Sequence, residues 1–193
     1  MQCTTIAPLE KLSSNFEFEY RKSSFMKSKF PIDNLIYRDV HIGGLAKDEL
    51  LKKLSQNKIG LNELAIKFIK DNESKLSSSK EKLPTVEISV SGLGFSNGTT
   101  TEEICKKSHK LGFSICPHEL AIHLRLQYID FNQPIEGQKG NWQNIIIKGH
   151  FDEPGFTVGF YLRHREDGFW LRGYKASLDY IWEPVDRFIF VKN

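Results

Sequence analysis

TTTEEICKKSHKLGFSICPHELAIHLRLQYIDFNQP, residues 99–134, decides the fold class. Any of Thr99, Thr100 and Thr101 can accept the free N–H groups of a first helical turn, and Glu102 and Glu103 suit its positive end. Ile104, Cys105 and Leu111 make an apolar stripe at helical spacing, and Gly112 follows as a stop. A second helix starts after Cys116, with Pro117 at its first position and Glu119 where a carboxylate meets unpaired N–H groups. Beyond Glu119 two periods compete. Leu120, Leu124 and Tyr128 repeat as in a helix, while Ile122, Leu124, Leu126 and Tyr128 alternate with His123, Arg125 and Gln127 as in a strand. The expectation is helix to about Arg125 and an extended run after it. It leaves Arg125, Gln127, Tyr128, Asp130 and Gln133 where a helix gives way to a loop.

Outward from this stretch, residues 1–40 read as a peripheral N-terminal arm. One short strand is expected at Phe16, Phe18 and Tyr20, followed by the basic, serine-rich run RKSSFMKSKF. From Lys47 the pattern turns helical. Leu50, Leu51 and Leu54 form one stripe, and Leu61, Leu64, Ala65, Phe68 and Ile69 a second, around a turn at Asn57–Gly60. The expectation is a helical hairpin over 47–71. A DNA-reading helix-turn-helix is disfavoured, because the second helix offers only Lys67 and Lys70 as cations and no array for base edges. Residues 72–84 are polar and serine/lysine-rich and read as a flexible link.

Val86, Ile88 and Val90 alternate with Glu87 and Ser89, as in a half-buried strand. Ile145–Ile147 is apolar on both sides, as in a central strand, and Phe188–Val191 is a short apolar strand. Thr157–His164 and Phe169–Tyr174 form the clearest strand pair, with Asp167–Gly168 suited to a tight turn. Helices first and antiparallel strands later imply an α+β fold. It would hold the helical hairpin, then a mixed, mainly antiparallel sheet of about four to six strands packed with two central helices. Residues 41–193 are expected to form one domain, with 85–193 as its main part.

The central run also carries a resemblance. LGF (93–95), GTTTEEI (98–104), LGF (111–113), CPHEL (116–120), LRLQYID (124–130), QP (133–134) and Trp142 resemble a small bacterial protein family without established activity. VHIGGLAKDELLKKL and IGLNELA, upstream, are similar to the start of those proteins. The resemblance implies a shared fold from Val40 onward and no mechanism. This chain departs by inserting Phe131–Asn132 between Asp130 and Gln133.

Composition narrows the function classes. A hydrophobic share of 39% and an aromatic share of 12% belong to a folded soluble chain. A net charge of +3, from 27 basic and 24 acidic residues, is weak support for a general nucleic-acid binder. No apolar run reaches the roughly 20 residues of a membrane span, and no secretory signal is evident, so the expected location is the cytoplasm. Cys3, Cys105 and Cys116 follow no metal-ligand spacing. His118 and His123 lie five apart, so their rings diverge by about 140° on a helix and do not make the zinc pair of H-E-x-x-H. SGLGFSNG (91–98) lacks the lysine of a phosphate-binding loop. Neither a metal nor a cofactor is expected. Cys116 at a helix start could be activated as a nucleophile, but no motif links it to His150 or His164 as a base.

The strand pair is the best functional lead. Side-chain parity puts Val158, Phe160, Leu162, Phe169 and Leu171 on a core face and Tyr161, Arg163, Arg165, Trp170, Arg172 and Tyr174 on the other. In one register Arg163 faces Arg172; in the other Arg163 meets Trp170 and Tyr161 meets Arg172. Arginine with aromatic residues is the composition of binding hot spots and base-stacking surfaces. The plain alternative is a solvated face on which arginines cover rings. The expected function is a non-catalytic module that binds a protein partner on this face. An enzyme using Glu119, Arg125, Gln127, Tyr128, Asp130, Gln133 and Trp142 is the first alternative, and binding of RNA or single-stranded nucleic acid is the second.

Overall fold

Thr85–Ile88 and Phe188–Phe190 are buried on both faces of their strands, whereas Ile36–Ile42 alternates between inward and exposed positions. The computed structural model describes residues 35–130, 145–147, 153–165 and 167–193, with the backbone alone at 128–130, 145–147 and 165. The described residues open with β1 (Ile36–Ile42), α1 (Lys47–Gln56), β2 (Gly60–Leu61), α2 (Glu63–Asp71) and a 3-10 turn at Glu73–Lys75. β3 (Glu81–Ser89), β4 (Thr99–Thr100), α3 (Thr101–Lys110), β5 (Phe113–Ser114) and α4 (Leu120–Asp130) follow. β6 (Ile145–Ile147), β7 (Phe156–Arg165), β8 (Gly168–Ser177), β9 (Ile181–Trp182) and β10 (Arg187–Lys192) complete the order. The fold is α+β.

The main sheet runs β1-β3-β10-β6-β7-β8-β2, and β5 also pairs with β10. The β10–β6 and β2–β8 pairs are parallel, and the other pairs are antiparallel. β4 and β9 make a separate two-stranded sheet.

β10 shows why both faces are covered. Phe188 and Phe190 point to one side and Ile189 to the other, and all three are buried. On the Ile189 side, Val40, Ile42, Val158, Phe160, Leu162 and Leu171 pack with apolar residues of α1, α2 and α4. Opposite, Val86, Ile88, Phe188, Phe190 and Tyr174 pack with Ile104 of α3 and Trp182 of β9. Trp182 meets the rings of Phe188 and Tyr174 edge-on, each at 5.3 Å, and its Nε1–H donates to Thr101 Oγ1 at 2.7 Å. Each such side chain contributes about 1.5–3 kcal/mol when fully buried, so both clusters matter to stability.

The helix starts follow local chemistry. Thr100 Oγ1 accepts the Glu103 N–H at 3.4 Å, and Gly112 ends the α3 turn at φ +82°. Asn62 Oδ1 accepts the Ala65 N–H at 3.0 Å and caps α2. α4 differs from the other helices. Leu120, Ala121, Ile122, His123, Leu124 and Arg125 are all buried, so it has no solvent face over these turns.

Several expectations are corrected. α4 continues as helix through Asp130, so no extended run follows Arg125. α1 and α2 are both present but do not form a helical hairpin. The chain between them enters the sheet as β2 beside β8, and α2 packs on β8 whereas α1 packs on α4. The peripheral arm stops short of Ile36, because β1 buries Val40 and Ile42. The stretch 72–84 holds the 3-10 turn and the first part of β3. Among the described residues the main sheet has eight strands, not about four to six. The strand expected at 16–20 and the basic arm lie outside the described residues.

Candidate functional site

The β7–β8 ladder runs from Phe156↔Ser177 to Arg165↔Gly168, so two residues separate the strands and Gly168, at φ +116°, is already paired. Gly168 therefore belongs to β8 and not to the expected Asp167–Gly168 turn. This register places Arg163 opposite Trp170 and Tyr161 opposite Arg172, keeping the two arginines from facing one another.

The Arg172 guanidinium carbon lies 5.9 Å from the Tyr161 ring centroid and 5.6 Å from that of Trp170, both within cation–π range. Trp170 Nε1–H donates to Asp167 Oδ1 at 2.9 Å. On its other flank Trp170 lies over Gly60 of β2, where an added Cβ would sit 2.4 Å from the ring. Only glycine lets the edge strand approach so closely. Tyr161, Arg163, Trp170 and Arg172 are thus brought together, half-buried. Tyr174 is not with them. It belongs to the second core beside Trp182, and burial raises its phenol pKa. The expectation that Tyr174 belongs to the binding face is corrected accordingly, because α3 and β9 cover that end of the strand pair. Arg165 sits at the end of β7, where the backbone alone is described.

The described side chains of the second candidate patch, Glu119, Arg125 and Gln127, do not converge. Glu119, directly before α4, is buried; its Oε1 accepts the Ser77 N–H at 2.9 Å and its Oε2 lies 3.2 Å from His123 Nε2. It is therefore not a carboxylate serving first-turn N–H groups. Gln127 is also structural. Its Oε1 accepts the His41 N–H at 3.0 Å and its Nε2 donates to the His41 carbonyl at 2.7 Å, replacing a neighbouring strand at the β1 edge. Asn62 does the same for β8: its Nδ2 donates to the Gly173 carbonyl at 2.9 Å and its Oδ1 accepts the Gly173 N–H at 2.8 Å. Arg125 points elsewhere, over the Phe169 ring at 5.2 Å, and burial pulls its pKa down to about 9. Tyr128 and Asp130 lie in the last turns of α4, described by backbone alone. Gln133, Trp142 and His150 lie outside the described residues. A small recess between α2 and α4 is lined by Phe68, Ile69, Asn72, Leu76, His118, Ile122 and Phe160, and Glu119, Arg125 and Gln127 are not among its lining.

No protein family, no curated protein and no solved structure matches this chain.

Cys116, His118 and His123 each face other groups of the fold. Cys116 is buried, its thiol donates to the Ile189 carbonyl at 3.2 Å, and burial pushes its pKa well up, against thiolate formation. Native protein treated with iodoacetamide should therefore be alkylated at half-buried Cys105 and not at Cys116 until denaturant is added; mass spectrometry reads the order. His118 and His123 have different partners: Lys75 Nζ lies 3.4 Å from His118 Nε2, whereas His123 Nε2 faces Glu119 and the Gly43 N–H. Among the described residues no three His, Cys, Asp or Glu side chains gather to hold a metal ion. No helix among them is long and apolar enough to cross a membrane.

Strand alternation put Glu87 on a solvated side, but it is fully buried. Its Oε2 accepts from Arg38 Nη1 and its Oε1 from Arg187 Nε. No local sequence signal reveals this triad, because its members come from three strands.

Proposed function

We propose that the chain is a non-catalytic interaction module that binds a protein partner on the β7–β8 face, with Arg163, Trp170 and Arg172 as its centre. The observation that carries this reading is the ordered stacking of Arg172 against Tyr161 and Trp170. Stacking holds a rotamer-rich side chain in place before any partner arrives, so less entropy is lost on binding. Arginine and tryptophan are the residue types that dominate interface energetics. Dispersal of Glu119, Arg125 and Gln127 onto separate structural tasks weighs against the enzyme alternative. The proposed site keeps Tyr161 at its border and leaves Tyr174 out.

Arg163→Ala with Arg172→Ala tests the proposal. Loss of the stacked contacts should cost about 1–2 kcal/mol in stability, from two cation–π contacts of about 0.5–1 kcal/mol each. Partner capture should fall by about tenfold or more, since hot-spot truncations exceed about 1–2 kcal/mol. Quantitative mass spectrometry should find a protein retained by wild type and by a Leu178→Ala control, and lost from the double variant. A double variant that folds and retains every captured protein would sink the proposal.

A further inference from the structure

We infer that the partner presents an acidic protein segment, with an aspartate or glutamate carboxylate seated against the Arg172 guanidinium. This rests on the reading of the β7–β8 face as the binding surface. Arg172 makes two ring contacts and, among the described residues, no hydrogen bond or ion pair; its Nε–H is buried without an acceptor. The guanidinium is held between two rings with no carboxylate beside it among the described residues, and a carboxylate supplies two acceptor oxygens in the geometry of its fork. The nearest described acid on the hairpin, Asp167, is already bonded to Trp170 Nε1.

The same contacts decide against nucleic acid. Base stacking needs an open aromatic face. Tyr161 and Trp170 each have Arg172 against them, Trp170 is also seated over Gly60, and Tyr161 packs on the second core. A base could stack here only by displacing the arginine. A phosphate backbone would need a longer row of cations than Arg163 and Arg172 make on this face. A single rigid fork suits a single carboxylate.

The test uses the full chain and a fluorescein-labelled poly-glutamate peptide, with oligouridylate of equal charge as the contrast, near physiological salt. Binding of the glutamate peptide should quench Trp170 and shift the Arg172 Nε–H resonance in the wild type. Arg172→Lys, which keeps the charge and loses the fork, should weaken binding by about tenfold. Lys175→Gln, an exposed cation paired with Glu153, should leave it unchanged. Equal binding by Arg172→Lys, oligouridylate binding in place of the peptide, or no peptide binding would each overturn the inference. The resonance shift decides the matter even where an Arg172 variant does not fold. A captured partner that depends on Arg163 and Arg172 but is not displaced by the glutamate peptide would overturn this inference alone. A partner indifferent to both arginines would overturn the underlying reading.

Discussion

Glu87→Ala should destabilise the protein by about 3–5 kcal/mol, enough to unfold many domains of this size. Glu87 is fully buried in β3, between Arg38 of β1 and Arg187 of β10, whose side chains are only 11% and 12% exposed. Removing the carboxylate leaves two guanidinium groups in a poorly solvated layer with their shared counter-charge gone. Taking out all three charges is a different perturbation. Glu87→Leu with Arg38→Met and Arg187→Met removes the desolvation cost along with the attraction, and similar exchanges elsewhere are neutral or stabilising by about 1–4 kcal/mol. Urea unfolding with unchanged slope measures both variants. A cost below about 1 kcal/mol for Glu87→Ala would mean that the triad behaves as a surface pair.

The triad also explains what could and could not be read from the sequence. The β7–β8 hairpin was legible because side chains alternate strictly in a strand, and Val158, Phe160, Leu162 and Leu171 do lie on the core side. The start and stop of α3 were legible because Thr100 and Gly112 act within one turn of the residues they serve. The extent of α4 was not, and the expected helix stopped near Arg125, because the turns buried on every side over Leu120–Arg125 have no polar stripe to display their period and the alternation of His123, Arg125 and Gln127 imitates a strand. Gln127 bonds a backbone 86 residues away and Asn62 one 111 residues away, distances at which no local pattern reports the pairing. β1 was missed for the same reason: Arg38, a charged residue, occupies a core-side position because Glu87 waits across the strand. Failures of the apolar code thus coincide with buried polar groups whose partners lie far along the chain.

Stability should fall on acidification through the ordinary imidazole range, and His123 should account for a resolvable part of the fall. Its Nε2 lies 3.2 Å from both the Gly43 N–H and Glu119 Oε2. One ring nitrogen cannot accept from Gly43 and donate to Glu119 at the same time. Burial lowers the His123 pKa and Glu119 opposes the shift, so the neutral ring that accepts from Gly43 is the folded form. An unfolded imidazole titrates near about 6.5, so below that value the unfolded chain takes up the proton first. The stabilisation is therefore complete above about pH 6.5 and is lost as pH falls towards the lower folded value. His123→Gln should flatten this part of the pH dependence, because a carboxamide can accept from Gly43 and donate to Glu119 without titrating. His123→Ala should instead cost about 1–3 kcal/mol at neutral pH, because the buried Gly43 N–H is left unmade. Gly43 has little freedom to find another acceptor: it is held at φ +79°, where a Cβ would sit 2.0 Å from the Ser79 carbonyl oxygen. Unfolding measured at about pH 7.5 and about pH 5.5 separates these outcomes. Parallel pH slopes for wild type and His123→Gln would show that the ring does not change its protonation on folding.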